Sequence, residues 1–317
     1  MFEDLVAEHQ LTVGKTLWVD NDELSFNEIV RQAIASGELN RPKYELPVPY
    51  VSISQIETFL KCPLQYEFRY VTGVKSPAHS SMAQGSAMHK VVELGYNYKR
   101  MSGEVPPLEF VLDSYSDAFK YHFTDEVIRE EHETDDFIHK QAELLLNSWY
   151  KNKLGKVNPV AVEQKFVVEI NGIPVVGVID LIDRVLDIQP PINNRFSPIG
   201  DKLVDNKVLS KMMSQADADN SLQMSVYAGV TGITEQRFDV FIKGNPKTIL
   251  ENSKRTKPPR IEEITTLRSQ KDFIWAGKII ERIAQAISSG IFPPCAPGSW
   301  VCNPNFCANW SQCRGSI

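Results

Sequence analysis

The segment from Lys202 to Val208 carries an acid and a lysine two residues apart, Asp205 and Lys207, within a short apolar run. Side chains alternate faces along a β-strand, so both are predicted to point the same way. In a cleft, such a pair is suited to binding a metal ion and stabilising charge on a phosphate. The alternative is an ordinary ion pair at a strand end, because Asp-x-Lys occurs often by chance.

Two neighbouring segments make the chemical interpretation more specific. Upstream, the stretch from Gly172 to Asp180 predicts a second strand with an acid near its end. Downstream, Gln223 and Tyr227 lie four residues apart in a predicted helix and therefore on one face of it. The alternative for these two is an amphipathic helix with a half-buried tyrosine.

Hydrolysis of a phosphodiester requires a polarised phosphate, an activated water and a stabilised leaving oxygen, which divalent metal ions held by carboxylates provide. Magnesium needs only one or two protein carboxylates. We expect Asp180 and Asp205 to be those ligands. Lys207 would orient or deprotonate the attacking water and stabilise the negative charge that develops on phosphorus.

The cysteines form a second candidate site. There are 5 in the chain, and four of them follow Ile291. The spacing Cys302-x4-Cys307-x5-Cys313 is looser than the CxxC pairs of a zinc ribbon. In a chain without a secretion signal, this clustering favours a metal over disulfides. Zinc held by four of the five cysteines is an open alternative, and a disulfide network is a third.

Taken in order, these motifs resemble those of a known family. The set comprises Ser52-x-Ser54, Leu60-Lys61-Cys62-Pro63, Gly85-x3-His89, the strand ending at Asp180, Asp205-x-Lys207, Gln223-x3-Tyr227 and the terminal cysteines. Residues 51–313 resemble the RecB-type branch of the PD-(D/E)XK nucleases. More narrowly, they are similar to the iron–sulfur branch with the AddB nuclease domain, CRISPR-adaptation nucleases and phage exonucleases. The resemblance implies a mixed α/β fold with a restriction-endonuclease-like core sheet flanked by helices.

The resemblance also assigns roles within the site. It implies that His89 is a further metal ligand, and because imidazole suits manganese better than magnesium, activity with either Mn²⁺ or Mg²⁺ is expected. It implies that Gln223 and Tyr227 line the site and hold the substrate or the lysine. Glu163 stands where relatives often carry a glutamate, and we expect it to support the lysine or the fold rather than bind metal.

For the tail, the resemblance implies a 4Fe–4S cluster. Its ligands would be Cys62 together with Cys302, Cys307 and Cys313, which leaves Cys295 spare. The chain reads Asp-Asn-Lys-Val where the family commonly has Asp-Tyr-Lys-Thr. This departure concerns the surroundings of Lys207 more than the activity itself.

The sequence pattern and the resemblance together predict four segments. Residues 1–50 are expected to form a helical extension and linker, and residues 51–155 a helical region with what the resemblance implies are the first cluster cysteine and the histidine motif. The resemblance implies that residues 156–262 are the nuclease core, which includes a predicted Asn171-Gly172 hairpin. Residues 263–317 contain a long helix, starting near Ile264, and the cysteine tail.

Composition limits the functional classes. The chain has 42% hydrophobic and 23% charged residues, a net charge of −6 and a pI of about 5.6, which argue against a purely electrostatic DNA binder. No apolar run approaches the length of a membrane span, and no secretion signal is recognisable, so a cytoplasmic protein is expected, in the host cytoplasm if phage-encoded.

One segment is locally basic. We expect it to contact DNA phosphates, the alternative being a solvated loop; its candidates are Lys247, Lys254, Arg255, Lys257 and Arg260. The sequence thus predicts a metal-dependent DNA nuclease, an exonuclease on single-stranded or linear DNA in recombination, repair or phage genome processing, with a recombination or replication protein as a further expected partner. The alternatives are a flap endonuclease and a non-catalytic DNA-binding or assembly module with a structural cluster.

Overall fold

The computed structural model describes residues 11–20, 24–186, 189–190, 195–251, 256–304, 307 and 309–314. A seven-stranded sheet runs through the molecule in the order β1-β3-β4-β5-β6-β7, and β2 pairs with β4. The strands are β1 Val13–Val19, β2 Val51–Ser52, β3 Pro159–Ile170, β4 Ile173–Arg184, β5 Asp201–Leu209, β6 Glu235–Ile242 and β7 Arg260–Leu267. The β5–β6 and β2–β4 pairs are parallel and the others antiparallel.

Helices cover both faces of this sheet. They are α1 Phe26–Ser36, α2 Ile53–Lys61, α3 Pro63–Tyr66, α4 Ser80–Ser102, α5 Leu108–His122, α6 Asp135–Asn152, α7 Gln215–Asp219, α8 Leu222–Thr231, α9 Lys247–Leu250, α10 Gln270–Ser288 and α11 Trp310–Cys313. One core packs α2, α8 and α10 on the sheet, and another packs α4, α5 and α6 on it. The predicted mixed α/β fold with a restriction-endonuclease-like sheet is confirmed.

The hairpin between β3 and β4 forms where its sequence predicts it. Asn171 and Gly172 have φ values of 51° and 74°, the left-handed conformation that a two-residue turn between twisted strands requires. The two strands pair from Ile170 and Ile173 almost to their far ends. This long pair is the rigid support for the acids at its far half.

Two segments differ from the sequence prediction. The predicted N-terminal helix is present as α1, but the same extension also contains β1, which pairs with β3 and so joins the sheet. The predicted long helix begins at Gln270 rather than Ile264. Arg260–Leu267 is instead the edge strand β7, because its β-branched residues favour a strand and Ser269 caps the helix that follows.

Among the described residues, no helix combines the length and apolar composition that a bilayer span requires.

Candidate active site

A fork in the sheet brings the predicted acids together. β4 and β5 pair over four positions, from Arg184 with Asp201 to Leu181 with Val204, and then separate. Asp180 and Asp205 are the first residues beyond the last pair. The backbone N–H of Asn206 donates to Asp180 Oδ2 at 2.8 Å across the gap, which fixes the carboxylate at the fork.

Along the same edge of β4, β2 pairs with Val175 and Val176, and β5 takes over at Leu181. In the part of the chain described, the residues between these two pairings have no strand partner on that edge. The carbonyl of Val178 there accepts a hydrogen bond from the Tyr227 hydroxyl instead. The gap thus opens the sheet beside the acids.

Helix α8 supplies a clamp for the lysine. Lys207 Nζ lies 2.7 Å from Asp205 Oδ2 and donates to Gln223 Oε1 at 3.0 Å. Gln223 Nε2 donates to Asp205 Oδ1 at 2.8 Å and to the Tyr227 hydroxyl at 3.0 Å. Because Tyr227 is anchored on Val178, the amide orientation and the lysine position are both fixed.

A glycine makes room for this clamp. A Cβ at Gly177 would lie 2.5 Å from the Phe166 ring and 3.1 Å from the Tyr227 ring. The first distance is shorter than real Cβ contacts, and the second is tight. Glycine at this position therefore leaves room for the Phe166 and Tyr227 rings against the strand.

A second group of ligands lies on the other side of Asp180. His89, Glu163 and Asp180 each offer a ligand atom, and these atoms all lie within 4.8 Å of one another. His89 Nδ1 is 3.5 Å from Asp180 Oδ2. An imidazole and two carboxylates fit a divalent cation with mixed nitrogen and oxygen preference, such as Mn²⁺, and also Mg²⁺.

The backbone is irregular at this site. Glu163 has φ of 49°, a left-handed conformation that costs a non-glycine residue about 1–3 kcal/mol and clusters at functional sites. Ala161 and Phe166, five positions apart, pack into the same core, and so do Ile179 and Ile182, three apart. Side-chain alternation therefore shifts by one residue in both strands. The shift lies at Glu163 and Asp180.

The acids at the fork repel one another. Burial raises the pKa of Glu163 to about 9, with Asp180 and Glu93 adding to the effect. Burial also raises the pKa of Asp205 to about 6, although Lys207 opposes the shift. The ionised forms of these carboxyls are thus disfavoured unless a cation lies beside them, as in a site that binds metal ions.

Lys207 remains charged in this setting. Burial alone would lower its pKa, but the attraction of Asp205 and Asp180 outweighs burial and raises it. An ammonium that stays protonated is suited to stabilising a negative phosphate and unsuited to removing a proton from water. Of the roles expected for Lys207, a raised pKa therefore fits charge stabilisation better than deprotonation of the attacking water.

Two other acids near the fork have structural partners instead. Asp201 accepts from Arg184 Nε at 2.8 Å and from the backbone of Ser197 at 2.8 Å. Asp183 accepts from the backbone of Asn158 at 2.8 Å and lies 3.5 Å from Arg237. Neither faces the metal group.

The structure places Glu163, which was expected to support the lysine or the fold, beside His89 and Asp180 in the metal-ligand group. Regular alternation of side chains along β3 does not predict the direction of the Glu163 side chain, because Glu163 itself has the left-handed conformation that shifts the alternation. The only sequence signal for it was the glutamate that relatives carry at this place.

The C-terminal tail returns to the region of Cys62. Phe292 stacks on Tyr66 with ring centroids 6.0 Å apart, and Pro293 accepts a hydrogen bond from the Leu64 N–H at 3.3 Å. Further along, Asn309, which is buried, accepts from Ser76 at 3.3 Å. The tail is thus tied to the helical region at two points.

These contacts bring the thiols into one neighbourhood. Cys62 and Cys302 lie beside the Cys295 thiol, and burial together with these neighbours raises the pKa of that thiol to about 11. Burial raises the pKa of Cys307, and Cys62, Cys313 and Cys302 contribute. All five side chains are half-buried.

The predicted phosphate contacts are only partly described. Lys254 and Arg255 lie outside the described residues. Lys247 is 3.9 Å from Glu251 and Arg260 pairs with Glu262, whereas Lys257 is exposed. The segment remains a predicted DNA contact.

Comparison with known proteins gives few near relatives. No curated protein matches the sequence. Among solved structures, a candidate exonuclease from Eubacterium rectale is similar at 13% identity and a TM-score of 0.43, over 86% of this chain and 90% of that one. Rai1 of Scheffersomyces stipitis, solved with (3'-NADP)+ and calcium, is similar at 12% identity and a TM-score of 0.26, over 84% and 82%. Likeness this distant carries no argument about activity.

The family assignment rests on the sequence. A model of the PD-(D/E)XK nuclease superfamily matches residues 50–314, most of the chain and every element of the fork. The chain therefore belongs to the PD-(D/E)XK nuclease superfamily, whose members are metal-dependent nucleases.

Proposed function

We propose that the protein is a metal-dependent deoxyribonuclease that acts as an exonuclease on linear or single-stranded DNA. One observation carries the proposal. At the fork of β4 and β5, the metal-ligand group of His89, Glu163 and Asp180 adjoins Asp205 and a charged Lys207. This set supplies a cation site and a phosphate-stabilising cation side by side.

Each residue has a distinct part in the reaction. His89, Glu163 and Asp180, with Asp205, would hold the divalent ion, which supplies water activation and charge stabilisation. The Lys207 ammonium stabilises the negative charge on the phosphate oxygens. Gln223 positions that ammonium through its amide oxygen, and Tyr227 positions Gln223. The buried surroundings strengthen these interactions relative to water.

Cleavage of end-labelled single-stranded DNA with Mg²⁺ or Mn²⁺ tests the proposal. Wild type is expected to release short products from linear DNA, and Lys207→Ala to be inactive but folded. Lys202→Ala is the matched control, because Lys202 lies on the same strand and pairs with Glu235 at 3.3 Å away from the fork. If Lys207→Ala cleaves like wild type, the site assignment is wrong.

Substrate form separates the alternatives. An exonuclease leaves circular single-stranded DNA intact, whereas cleavage of circles or of flaps at the branch identifies the endonuclease alternative. An inert wild type that still binds DNA identifies the non-catalytic module. The role in recombination, repair or phage genome processing, and a protein partner there, follow only after the substrate is known.

For the tail, we propose a 4Fe–4S cluster held by Cys62, Cys302, Cys307 and Cys313. The support is the convergence of five thiols in one neighbourhood and the two contacts that return the tail to the helical region. Such a cluster would fasten the tail to α2 and α3. It would also close a long loop and so reduce the conformational entropy of the unfolded chain.

Anaerobically purified protein is expected to be brown and to contain iron and sulfide. Cys62→Ser is expected to lose both. Cys295→Ser is the matched control and is expected to retain them, although Cys295 lies beside the ligands. Colourless protein with stoichiometric zinc would replace the cluster with the zinc alternative.

A further inference from the structure

A second cavity lies next to the metal group, on the outer edge of β3. The last paired residues of β1 and β3 are Val19 and Lys165, so β1 ends while β3 continues toward Pro159. A cavity of about 420 Å³ opens along this edge of β3. Its volume is in the range that takes a single small ligand, so it suits one nucleotide rather than a base pair.

This cavity and the active-site cleft share one wall. Glu163 lines the cavity, and it also lines the cleft of about 550 Å³ that contains His89 and Lys207. A flexible strand with one phosphate at the metal group could therefore continue beside Glu163 into the cavity.

Arg195 is held in the cavity by a buried amide. Gln164 is 7% exposed, and its Nε2 donates to the backbone carbonyls of Val19 and Lys165, both at 3.1 Å. This fixes the amide, so that Oε1 accepts from Arg195 Nη2 at 2.9 Å. Asp20 accepts from the same nitrogen at 2.6 Å. A buried polar residue thus positions a guanidinium whose side chain is still 35% exposed.

Aromatic rings complete the support of Arg195. Its guanidinium lies 5.6 Å from the Trp18 ring centroid and 5.9 Å from that of Phe196. Stacking on rings restrains the guanidinium plane and leaves its remaining N–H groups for a planar or tetrahedral anion.

A second guanidinium faces the same cavity. Arg100, in the last turn of α4, is exposed and donates to Asn97 Oδ1 at 3.1 Å. The pKa of Asp20 is lowered, chiefly by its hydrogen bond to Arg195 and also by the charge of Arg100. The cavity lining thus contains two guanidiniums together with the carboxyl groups of Asp20 and Glu163. A guanidinium can bind a phosphate through two parallel hydrogen bonds, so the two arginines suit a phosphodiester.

We infer that this cavity binds the nucleotide next to the scissile phosphate, with Arg100 and Arg195 as its phosphate contacts. The ligand is a phosphodiester unit of a single strand. The inference rests on the proposed nuclease function, since it gives the substrate strand a direction from Lys207 past Glu163 to Arg195. Gln164 is a positioning residue that acts through Arg195.

The test measures binding and cleavage separately, on Arg195→Gln, Arg100→Gln and the control Arg31→Gln. Cleavage is measured with Lys207 present. Binding is measured in the Lys207→Ala background, by fluorescence anisotropy with a labelled single-stranded oligonucleotide. Arg31 is an exposed arginine on α1 outside this cavity. We expect each cavity variant to weaken binding about tenfold and to reduce the salt dependence by the roughly 0.7 that one lost phosphate contact gives in a single strand. Arg31→Gln is expected to bind like wild type.

Neutral methylphosphonates placed one at a time in the oligonucleotide locate the contact. Protein that retains both arginines is expected to bind the oligonucleotide more weakly when the methylphosphonate is at one position beside the scissile phosphate. Arg195→Gln is expected to be insensitive at that position only. Arg195→Lys, which keeps the charge but not the planar fork, should recover part of the affinity, and thermal unfolding of each variant monitors folding.

The outcomes separate this inference from the proposed function. If wild type cleaves no substrate but binding still depends on both arginines and on one phosphate, the nuclease proposal fails and the subsite stands. If both cavity variants bind and cleave like Arg31→Gln, the subsite is overturned. Sensitivity to all methylphosphonate positions alike also overturns it, because the arginines would then act through the overall charge.

Discussion

Two groups of acids around the far half of β4 have opposite surroundings. In one group, Asp183, Asp201 and Asp239 are buried, and each has a guanidinium partner. At the fork, Glu163 and Asp180 face each other and His89. Buried carboxylates are stable when cations pair with them, and otherwise they repel. The distribution of arginines, rather than of acids, thus separates the paired group from the candidate active site.

The paired acids belong to an extended network. Arg237 donates to both carboxylate oxygens of Asp239, at 2.9 Å and 3.1 Å. Lys153 lies 3.2 Å from the same Asp239 and also pairs with Glu263. These contacts tie α6, β6 and β7 together. At the fork, Lys207 pairs with Asp205. The carboxyl groups of Glu163 and Asp180 are then available to a metal ion.

Asp180→Asn is expected to give the largest effect. It removes one negative ligand but keeps an oxygen for the Asn206 N–H, so the fork should retain its shape. Removing one electrostatic group from a preorganised site typically lowers the rate by about 10²–10³. Initial rates with Mg²⁺ and Mn²⁺ measure this.

Thermal unfolding is the control for that variant. Without metal, the Asp180→Asn variant should be at least as stable as metal-free wild type, because a repelling charge has been removed. A variant that loses stability in step with activity would show that Asp180 belongs to the structural class of acids.

Asp239→Asn tests the paired group of acids. It leaves Arg237 and Lys153 without their shared buried carboxylate. Removing one partner of a buried ion pair typically costs about 3–5 kcal/mol in the free energy of unfolding. Urea unfolding measures the loss. Cleavage per folded molecule, at a temperature well below the transition, should remain that of wild type. A drop in that rate would mean that the network also shapes the fork.

Stability of the metal-free protein should fall as pH rises. A carboxyl whose pKa is higher in the folded than in the unfolded chain favours folding while protonated, and the benefit is lost between the two pKa values. For Glu163 this interval runs from its usual 4.5 to about 9, and for Asp205 from 3.8 to about 6. Melting temperatures in a chelator should therefore decline from pH 5 to pH 9.

The matched variant for the pH prediction is Glu163→Gln, which cannot ionise. Its melting temperature should change less above pH 6 than that of wild type. Saturating Mn²⁺ should also reduce the wild-type slope, because the cation replaces the proton. An equal slope in both proteins would assign the pH dependence to other groups.

The sequence predicted most residues of the fork but not the ion pairs that distinguish the other acids from them. Asp180, Asp205, Lys207 and Gln223 were found because their types and order match a family pattern, and the structure brings them to one fork. The position of Glu163 beside Asp180 and His89 could not be predicted, because its left-handed backbone breaks the alternation on which strand predictions rest. The pairing of Asp183 with Arg237 joins residues far apart in sequence, so no local pattern reveals it.

Tyr227→Phe is expected to give the smallest effect and sharpens the comparison within the fork. The hydroxyl accepts from Gln223 and donates to Val178, so its loss frees the amide that holds Lys207. A hydrogen bond contributes about 1 kcal/mol net, which corresponds to a roughly fivefold lower rate. Because Tyr227 acts through Gln223, the maximal rate should fall while the substrate concentration at half-maximal rate stays constant. Gln223→Ala should lower the rate further, and adding Tyr227→Phe to it should change little. Additive losses would instead show that the tyrosine touches the substrate.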